Sequence, residues 1–252
     1  MKVLAIVPAR GGSKGVPRKN VKKLNGIPLI AYGICSALGA KKVDRVVVST
    51  DDDEISEVSK KYGAEVIIRP TELAQDLSPA ELGMQHVVKT LESEGWIPDL
   101  IILVQCTSPF RLSKHIDEAI DILINNKFTG IASVSETPGH FHPYKIKEVK
   151  KDGELVSMIQ EDGMKNKIIE SHKYKIRQDL PGIYYWMNGA VYVSTYDTLM
   201  NDGDRYGIRC GAQILDGTTL ANIDSEEDFE FAQRLIDKGK IQLDFELVEI
   251  NS

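Results

Sequence analysis

Residues 3–20 read VLAIVPARGGSKGVPRKN, a short apolar run from Val3 to Ala9 that stops at a loop rich in glycine and positive charge. An apolar run of this length, with no polar alternation, suits a strand buried on both faces of a sheet. After the loop, Ile27 to Leu38 reads as a helix, with Pro28 near its first turn and Gly39 just past its end. The alternation then repeats. Arg45 to Thr50 is a second buried strand, and Asp51 to Lys60 a helix opened by three acids where the helix dipole favours them. Glu65 to Ile68 is a third strand, Pro79 to Glu92 a helix, Asp99 to Gln105 a fourth strand, and Ser113 caps a helix reaching about Asn125. This order predicts right-handed crossovers and a doubly wound α/β fold, with a mainly parallel, Rossmann-like sheet covered on both faces.

The regularity breaks after Val134. Residues 137–185 are rich in Pro, His, Tyr and Lys, with β-like alternation such as Tyr144 to Val149. The expectation is a core of residues 1–136 and 186–240, interrupted by an inserted β arm at 137–185 of the kind that makes subunit contacts. Asn188 to Val193 resumes the core sheet. Ser225 to Lys238 is an amphipathic helix begun by Asp224 or Ser225, with Asp228 placed to complete a capping box. The tail, 241–252, alternates apolar and polar residues and reads as an edge strand.

Composition narrows the function. The 252 residues are 42% hydrophobic and 27% charged, enough for a large core. Three cysteines at unrelated spacings exclude a disulfide framework and point to a reducing, cytoplasmic setting. No run is long enough to span a membrane. The net charge of −6 argues against nucleic acid as partner. That total hides an asymmetry: the first 43 residues hold nine Lys or Arg and no acid, while the other 209 hold 22 basic and 37 acidic residues. Arg10, Lys14, Arg18, Lys19, Lys22 and Lys23 crowd one loop, interleaved with Gly11, Gly12 and Gly15. Glycines let backbone N–H groups approach an anion and lysines supply point charges, so phosphate is the natural guest.

The loop is neither a Walker A loop, since GxxxxGK[ST] is absent, nor GxGxxG, whose spacing it fails. Instead, PARGGSKGVPRKN (residues 8–20) resembles the first motif of the sugar-activating cytidylyltransferases, especially the N-acylneuraminate cytidylyltransferase family. Further segments resemble that family's later motifs in the same order: Val48 to Asp52, Arg69-Pro70-x-Glu72-Leu73-Ala74-x-Asp76, Gln105 to Arg111, Arg177 to Pro181, Asn188 to Tyr192, and Ile223-Asp224-Ser225-x-x-Asp228-Phe229. The resemblance covers about residues 3–235.

The resemblance implies transfer of CMP from CTP to the anomeric hydroxyl of a nine-carbon 2-keto sugar acid, either N-acetylneuraminic acid or a legionaminic or pseudaminic relative. It also implies a homodimer acting without a membrane. Carried over by motif, Arg10, Gly11, Ser13, Lys14 and Lys19 line the triphosphate, with Lys19 and Arg10 as the catalytic pair and Lys19 acting on the α-phosphate. Asn20 and Arg69 contact the cytidine half, Gln105 lies towards the sugar, and Arg177 pairs with its carboxylate, a task for which a planar guanidinium is suited. Magnesium is expected, because it bridges phosphate oxygens. Related enzymes show Asp-x-Asp near the end of the core where this chain has Asn222-Ile223-Asp224, so Asp224 is the expected metal ligand and Asn222 its uncharged companion. Two other readings stand beside this one: a cytidylyltransferase for 3-deoxy-octulosonic acid, and a nucleotide sensor without catalysis on the same fold.

Several other residues have plainer readings. Asp51, Asp52 and Asp53 are explained as helix-start acids. His140 and His142 share one face of an alternating segment but lack a third ligand nearby. Cys106 is a small buried residue rather than a nucleophile. Tyr184, Tyr185 and Trp186 read as core or interface more readily than as a sugar pocket. Arg111 suits a helix start and a phosphate contact equally.

Overall fold

A computed structural model describes residues 1–12, 15–75, 78–159, 177–217 and 220–250. In chain order come β1 (Val3–Pro8), β2 (Lys23–Leu24), β3 (Ile27–Pro28), α1 (Leu29–Leu38), β4 (Arg45–Thr50), α2 (Asp53–Lys61), β5 (Glu65–Ile68), α3 (Ala80–Ser93), β6 (Leu100–Leu103) and α4 (Ser113–Asn126). They are followed by β7 (Gly130–Glu136), β8 (Lys147–Val149), β9 (Leu155–Ser157), β10 (Tyr185–Thr195), α5 (Tyr196–Met200), β11 (Cys210–Ile214) and α6 (Glu226–Asp237).

β1 shows why its sequence is apolar throughout. Side chains alternate between sheet faces. Val3, Ala5 and Val7 enter one core layer with Ile30 and Ile34 of α1 and Ile116 and Ile120 of α4, whereas Leu4 and Ile6 enter another with Met84, Val87 and Leu91 of α3. The seven strands stand in the order β11-β7-β10-β6-β1-β4-β5. β1 is parallel to β4 and β6, and β4 is parallel to β5, while β10 returns antiparallel against β6. The fold is the expected doubly wound α/β type, with a mostly parallel, mixed sheet.

Two local expectations change. α1 starts at Leu29, later than Ile27, because Asn25 and Gly26 (φ +50° and +81°) turn the chain and pair Ile27–Pro28 back onto Lys23–Leu24. Asn-Gly is the residue pair that such two-residue hairpin turns favour. The tail is not an edge strand. Residues 241–250 lie as an extended strap whose Phe245 and Leu247 pack on the core. The Asp244 carboxylate accepts from the N–H groups of Ser113 (2.8 Å) and Lys114 (3.0 Å), so it caps α4 in the role expected of Ser113. Ser225 caps α6 and completes a capping box with Asp228, as its sequence predicts.

The chain forms two compact units, Met1–Ser133 with Asn188–Ser252, and Val134–Met187. Within the second unit, β8 and β9 form an antiparallel hairpin. Among the described residues no helix is long and apolar enough to cross a membrane.

Candidate active site

In an open α/β sheet, the chain leaves the strand ends in opposite directions where the winding reverses, and this opens a crevice. Here the reversal is at β1, flanked by β4 on one side and β6 on the other. A cleft of about 370 Å³ lies beyond the carboxyl ends of β1, β5 and β6, and its walls include Arg10, Lys19, Asn20, Arg69, Gln105 and Asp224.

The glycine-rich loop is anchored by acids. The N–H of Gly11 donates to Asp51 Oδ1 at 3.1 Å. Arg18, in the left-handed region at φ +54°, grips both carboxylate oxygens of Asp52 (2.5 and 2.9 Å) and also pairs with Glu54. Asp52 is itself the N-cap of α2, accepting from the N–H of Ile55 at 2.9 Å. The acids that read as helix starters thus also hold the loop. Hydrogen bonding from Arg18 keeps the Asp52 carboxyl below the usual carboxylate range. Asn20 is buried, and its amide donates to the carbonyl of Arg10 at 3.0 Å, tying the two ends of the loop together. Gly15 is required by close approach, because a Cβ there would collide with the carbonyl oxygen of Asp224.

These contacts divide the basic cluster by role. Arg18 clamps the loop, and Lys22 pairs with Glu226 with its ammonium 4.8 Å from the centre of the Phe229 ring. Arg10 and Lys19 line the cleft. Ser13 and Lys14 lie outside the described residues. Lys19 Nζ donates to the Ile223 carbonyl (2.8 Å) and to Asp224 Oδ1 (3.0 Å), while the Asn222 amide donates to Asp224 Oδ2 (2.8 Å). The structure therefore joins the expected catalytic lysine and the expected metal ligand in one ion pair.

A magnesium ion fits this donor set in one way. Among the described residues no group of three or more His, Cys, Asp or Glu is placed to hold a metal. Asp224 offers a largely exposed carboxylate, and Asn222 meets it through the amide nitrogen rather than the oxygen. One carboxylate with water and substrate phosphates suits magnesium, which keeps much of its shell.

Arg69 is buried on the cleft wall with Asp51 3.9 Å away, and burial pushes its guanidinium down from the ordinary arginine value. Beyond β6, Gln105, Cys106 and Thr107 form another wall. The Cys106 thiol is pushed up to about 12 by burial, so it is neutral and no nucleophile. Gly189 has φ +75°, and a Cβ there would stand 2.8 Å from Gln105 Oε1, so glycine leaves the slot in which this amide lies. Arg111 is fully buried and bonds to two backbone carbonyls and to Ser36 Oγ rather than into the cleft. Sequence reading left its role open because carbonyl partners leave no trace in side-chain identities.

Arg177 begins a 3-10 turn, Arg177–Asp179, and its side chain lies outside what is described. In the second unit, Tyr184, Tyr185 and Trp186 line an apolar groove of about 530 Å³ with Phe141, Pro143 and Ile146. His142 is buried against the Tyr184 and Tyr144 rings, and the His140 ring meets that of Phe141 at a 53° tilt.

The sequence profile of the cytidylyltransferase family matches residues 4–235. The pseudaminic acid cytidylyltransferase of Campylobacter jejuni is 30% identical over 236 residues, 93% of this chain and 96% of its own. The CMP-N,N'-diacetyllegionaminic acid synthase of Legionella pneumophila is 31% identical over 245 residues, 94% and 97% of the two chains. Among solved structures, a CMP:2-keto-3-deoxy-manno-octonic acid synthetase complexed with CTP superposes with a TM-score of 0.68, covering 95% of this chain and all of the other, at 16% identity that speaks to the fold alone. On the strength of the near-complete match, the chain belongs to the cytidylyltransferase family and is a nucleotidyltransferase.

Proposed function

We propose that the chain transfers CMP from CTP to the anomeric hydroxyl of a nine-carbon 2-keto sugar acid, with pseudaminic, legionaminic and N-acetylneuraminic acids as the substrate class. The observation that carries this reading is the cleft itself. Arg10, Arg69 and the Lys19–Asp224 pair share it with the neutral amide of Gln105. Cations suit a triphosphate, and an amide suits the hydroxyls and acylamino groups of a sugar. The names of the full-length relatives support the same sugar class.

The reaction forms a bond from the sugar's anomeric oxygen to the α-phosphorus, breaks the bond from that phosphorus to the bridging oxygen, and releases pyrophosphate and the hydroxyl proton. Both substrates are anions, so positioning and electrostatic stabilisation carry the rate. Lys19 neutralises charge that gathers on the α-phosphoryl oxygens, and Arg10 neutralises charge on the departing pyrophosphate. Asp224 holds the ammonium in place before substrate arrives. Gly11, Ser13 and Lys14 complete the triphosphate cradle, Asn20 and Arg69 serve the cytidine half, and Arg177 binds the sugar carboxylate. Magnesium would be held at Asp224, with Asn222 beside it, and would supply positive charge that offsets the leaving group's.

A homodimer formed through the second unit is part of this reading. Its support is the exposed apolar surface of Phe141, Ile183, Tyr185 and Trp186. Free Cys35, Cys106 and Cys210 suit a reducing cytoplasm.

The test is pyrophosphate release with CTP, magnesium and a panel of pseudaminic, legionaminic, N-acetylneuraminic and 3-deoxy-octulosonic acids, with the other nucleoside triphosphates swapped in. Turnover confined to CTP and one nine-carbon acid is expected. Best turnover with the eight-carbon acid, or none across the panel, would overturn the substrate assignment.

A further inference from the structure

A guanidinium with no exposed surface lies behind the Gln105 wall of the cleft. Arg111 Nη1 donates to the Gln105 carbonyl (3.2 Å) and to the Ala190 carbonyl (2.9 Å), and Nε donates to Ser36 Oγ (3.2 Å). Nη2 is buried without a hydrogen-bond partner, beside Gly33 of α1. No carboxylate among the described residues pairs with this cation. Burial pushes it down to about 10, the direction expected of a charge taken out of water.

Stability does not call for such a residue. An apolar side chain of similar volume often stabilises a core as well as a buried ion or better. The position of its bonds suggests another role. One nitrogen, Nη1, joins the backbone of Gln105 to that of Ala190, the neighbour of Gly189. Gln105 Oε1 lies where Gly189 lacks a Cβ. The guanidinium therefore fixes both sides of the slot that holds the amide.

We propose that Arg111 is a positioning residue for the reaction: by joining Gln105 to β10 it fixes the amide of Gln105 at the angle from which it meets the sugar acid. The proposal rests on the reading of Gln105 as a sugar contact. Arg111 touches no substrate and acts through Gln105. Its influence falls on the sugar acid rather than on CTP, whose triphosphate is held by the separately anchored glycine loop.

The experiment is a double-mutant cycle on the full chain, with Arg111→Met, Gln105→Ala and the pair, reading kcat and KM for each substrate. Circular dichroism and thermal melting establish folding. Arg111→Met is expected to cut kcat/KM for the sugar acid about a hundredfold, the scale of a misplacement of about 1 Å. The KM for CTP should stay within about twofold. In the Gln105→Ala background the second substitution should cost little more, since its target is gone. Losses that multiply in the double variant would overturn the proposal and leave Gln105 as a sugar contact. A Gln105→Ala variant with full activity would remove that contact and the proposal with it. Loss spread equally over CTP and the sugar acid would make Arg111 merely structural. Should Arg111→Met fail to fold, Arg111→Lys enters the same cycle under the same criteria, since it keeps the charge but loses the fork that joins two carbonyls.

Discussion

Two loops face each other across the cleft, and they are held by opposite means. The glycine-rich loop at residues 10–20, its ends tied by the Asn20 amide, has its charged anchors near the surface, with Arg18 on Asp52 and Glu54 and Lys19 on Asp224. The loop at 105–111 is held by a cation with no exposed surface, bonded only to neutral acceptors. Salt screens exposed pairs strongly and buried contacts weakly. The ion pairs of the first loop are therefore the ones that salt should weaken. The second presents a fixed wall. A cation that must reach a phosphate has to be available, whereas one that sets geometry works best out of water.

The sharpest test of the first loop is Lys19→Ala. Turnover should fall by at least about a hundredfold, the scale of removing one electrostatic stabiliser, with the thermal melt little changed. Near-normal turnover would leave the ion pair with Asp224 as a structural contact.

On the fixed side, Gly189→Ala should destabilise by about 1–2 kcal/mol, because a side chain at positive φ is strained, and its Cβ would displace Gln105. Urea unfolding should report the loss, and the KM for the sugar acid should rise more than that for CTP. An unchanged sugar KM would mean that the slot tolerates a shifted amide.

Asp244→Ala tests whether the fixed wall depends on its far end. Losing a carboxylate that caps two N–H groups should cost about 1 kcal/mol in urea unfolding, with little change in either KM. A large rise in the sugar KM would extend the fixed region into the tail.

The smallest effect is a dependence on acid. Asp52 is held below its usual range by Arg18, so its contribution is present at pH above the ordinary carboxylate value and is lost as pH falls through the lower folded value. Arg18→Ala should lower stability by only a few tenths of a kcal/mol at neutral pH, because the guanidinium is more than a third exposed. The difference from the parent protein should fade in acid and in 0.5 M salt, on the order of the screening expected for exposed pairs. A difference that survives both would mean that the Arg18 pair is shielded from solvent.

The sequence made the glycine-rich loop legible because glycine, lysine and arginine at close spacing have few other uses, and made the central strands legible as short apolar runs. Gln105 and Asp224 were found through motif resemblance, which carries position without geometry. What stayed hidden was contact between residues distant in the chain. Nothing near Lys19 announces its pairing with Asp224, and nothing in Arg111 announces two carbonyl partners. The Asn25–Gly26 turn has the residue types of a hairpin, but the helical reading began at Ile27, directly after it, and so took the second short strand for helix. The tail's alternation suggested a strand, but its Asp244 side chain meets a helix N-terminus and its Ile250 N–H donates to the carbonyl of Lys61.

That strap also has a consequence in time. Asp244 meets Ser113 from 131 residues further along. At a synthesis rate of about 5–20 residues per second, Asp244 is made roughly 6–24 s after the last residue of α4, Asn126. During that interval the wall beside the cleft ends in an uncapped helix, and apolar side chains that Phe245 and Leu247 will cover stand open to water. The growing chain passes through a stage in which its central strands are complete while the start of α4 still lacks the Asp244 carboxylate.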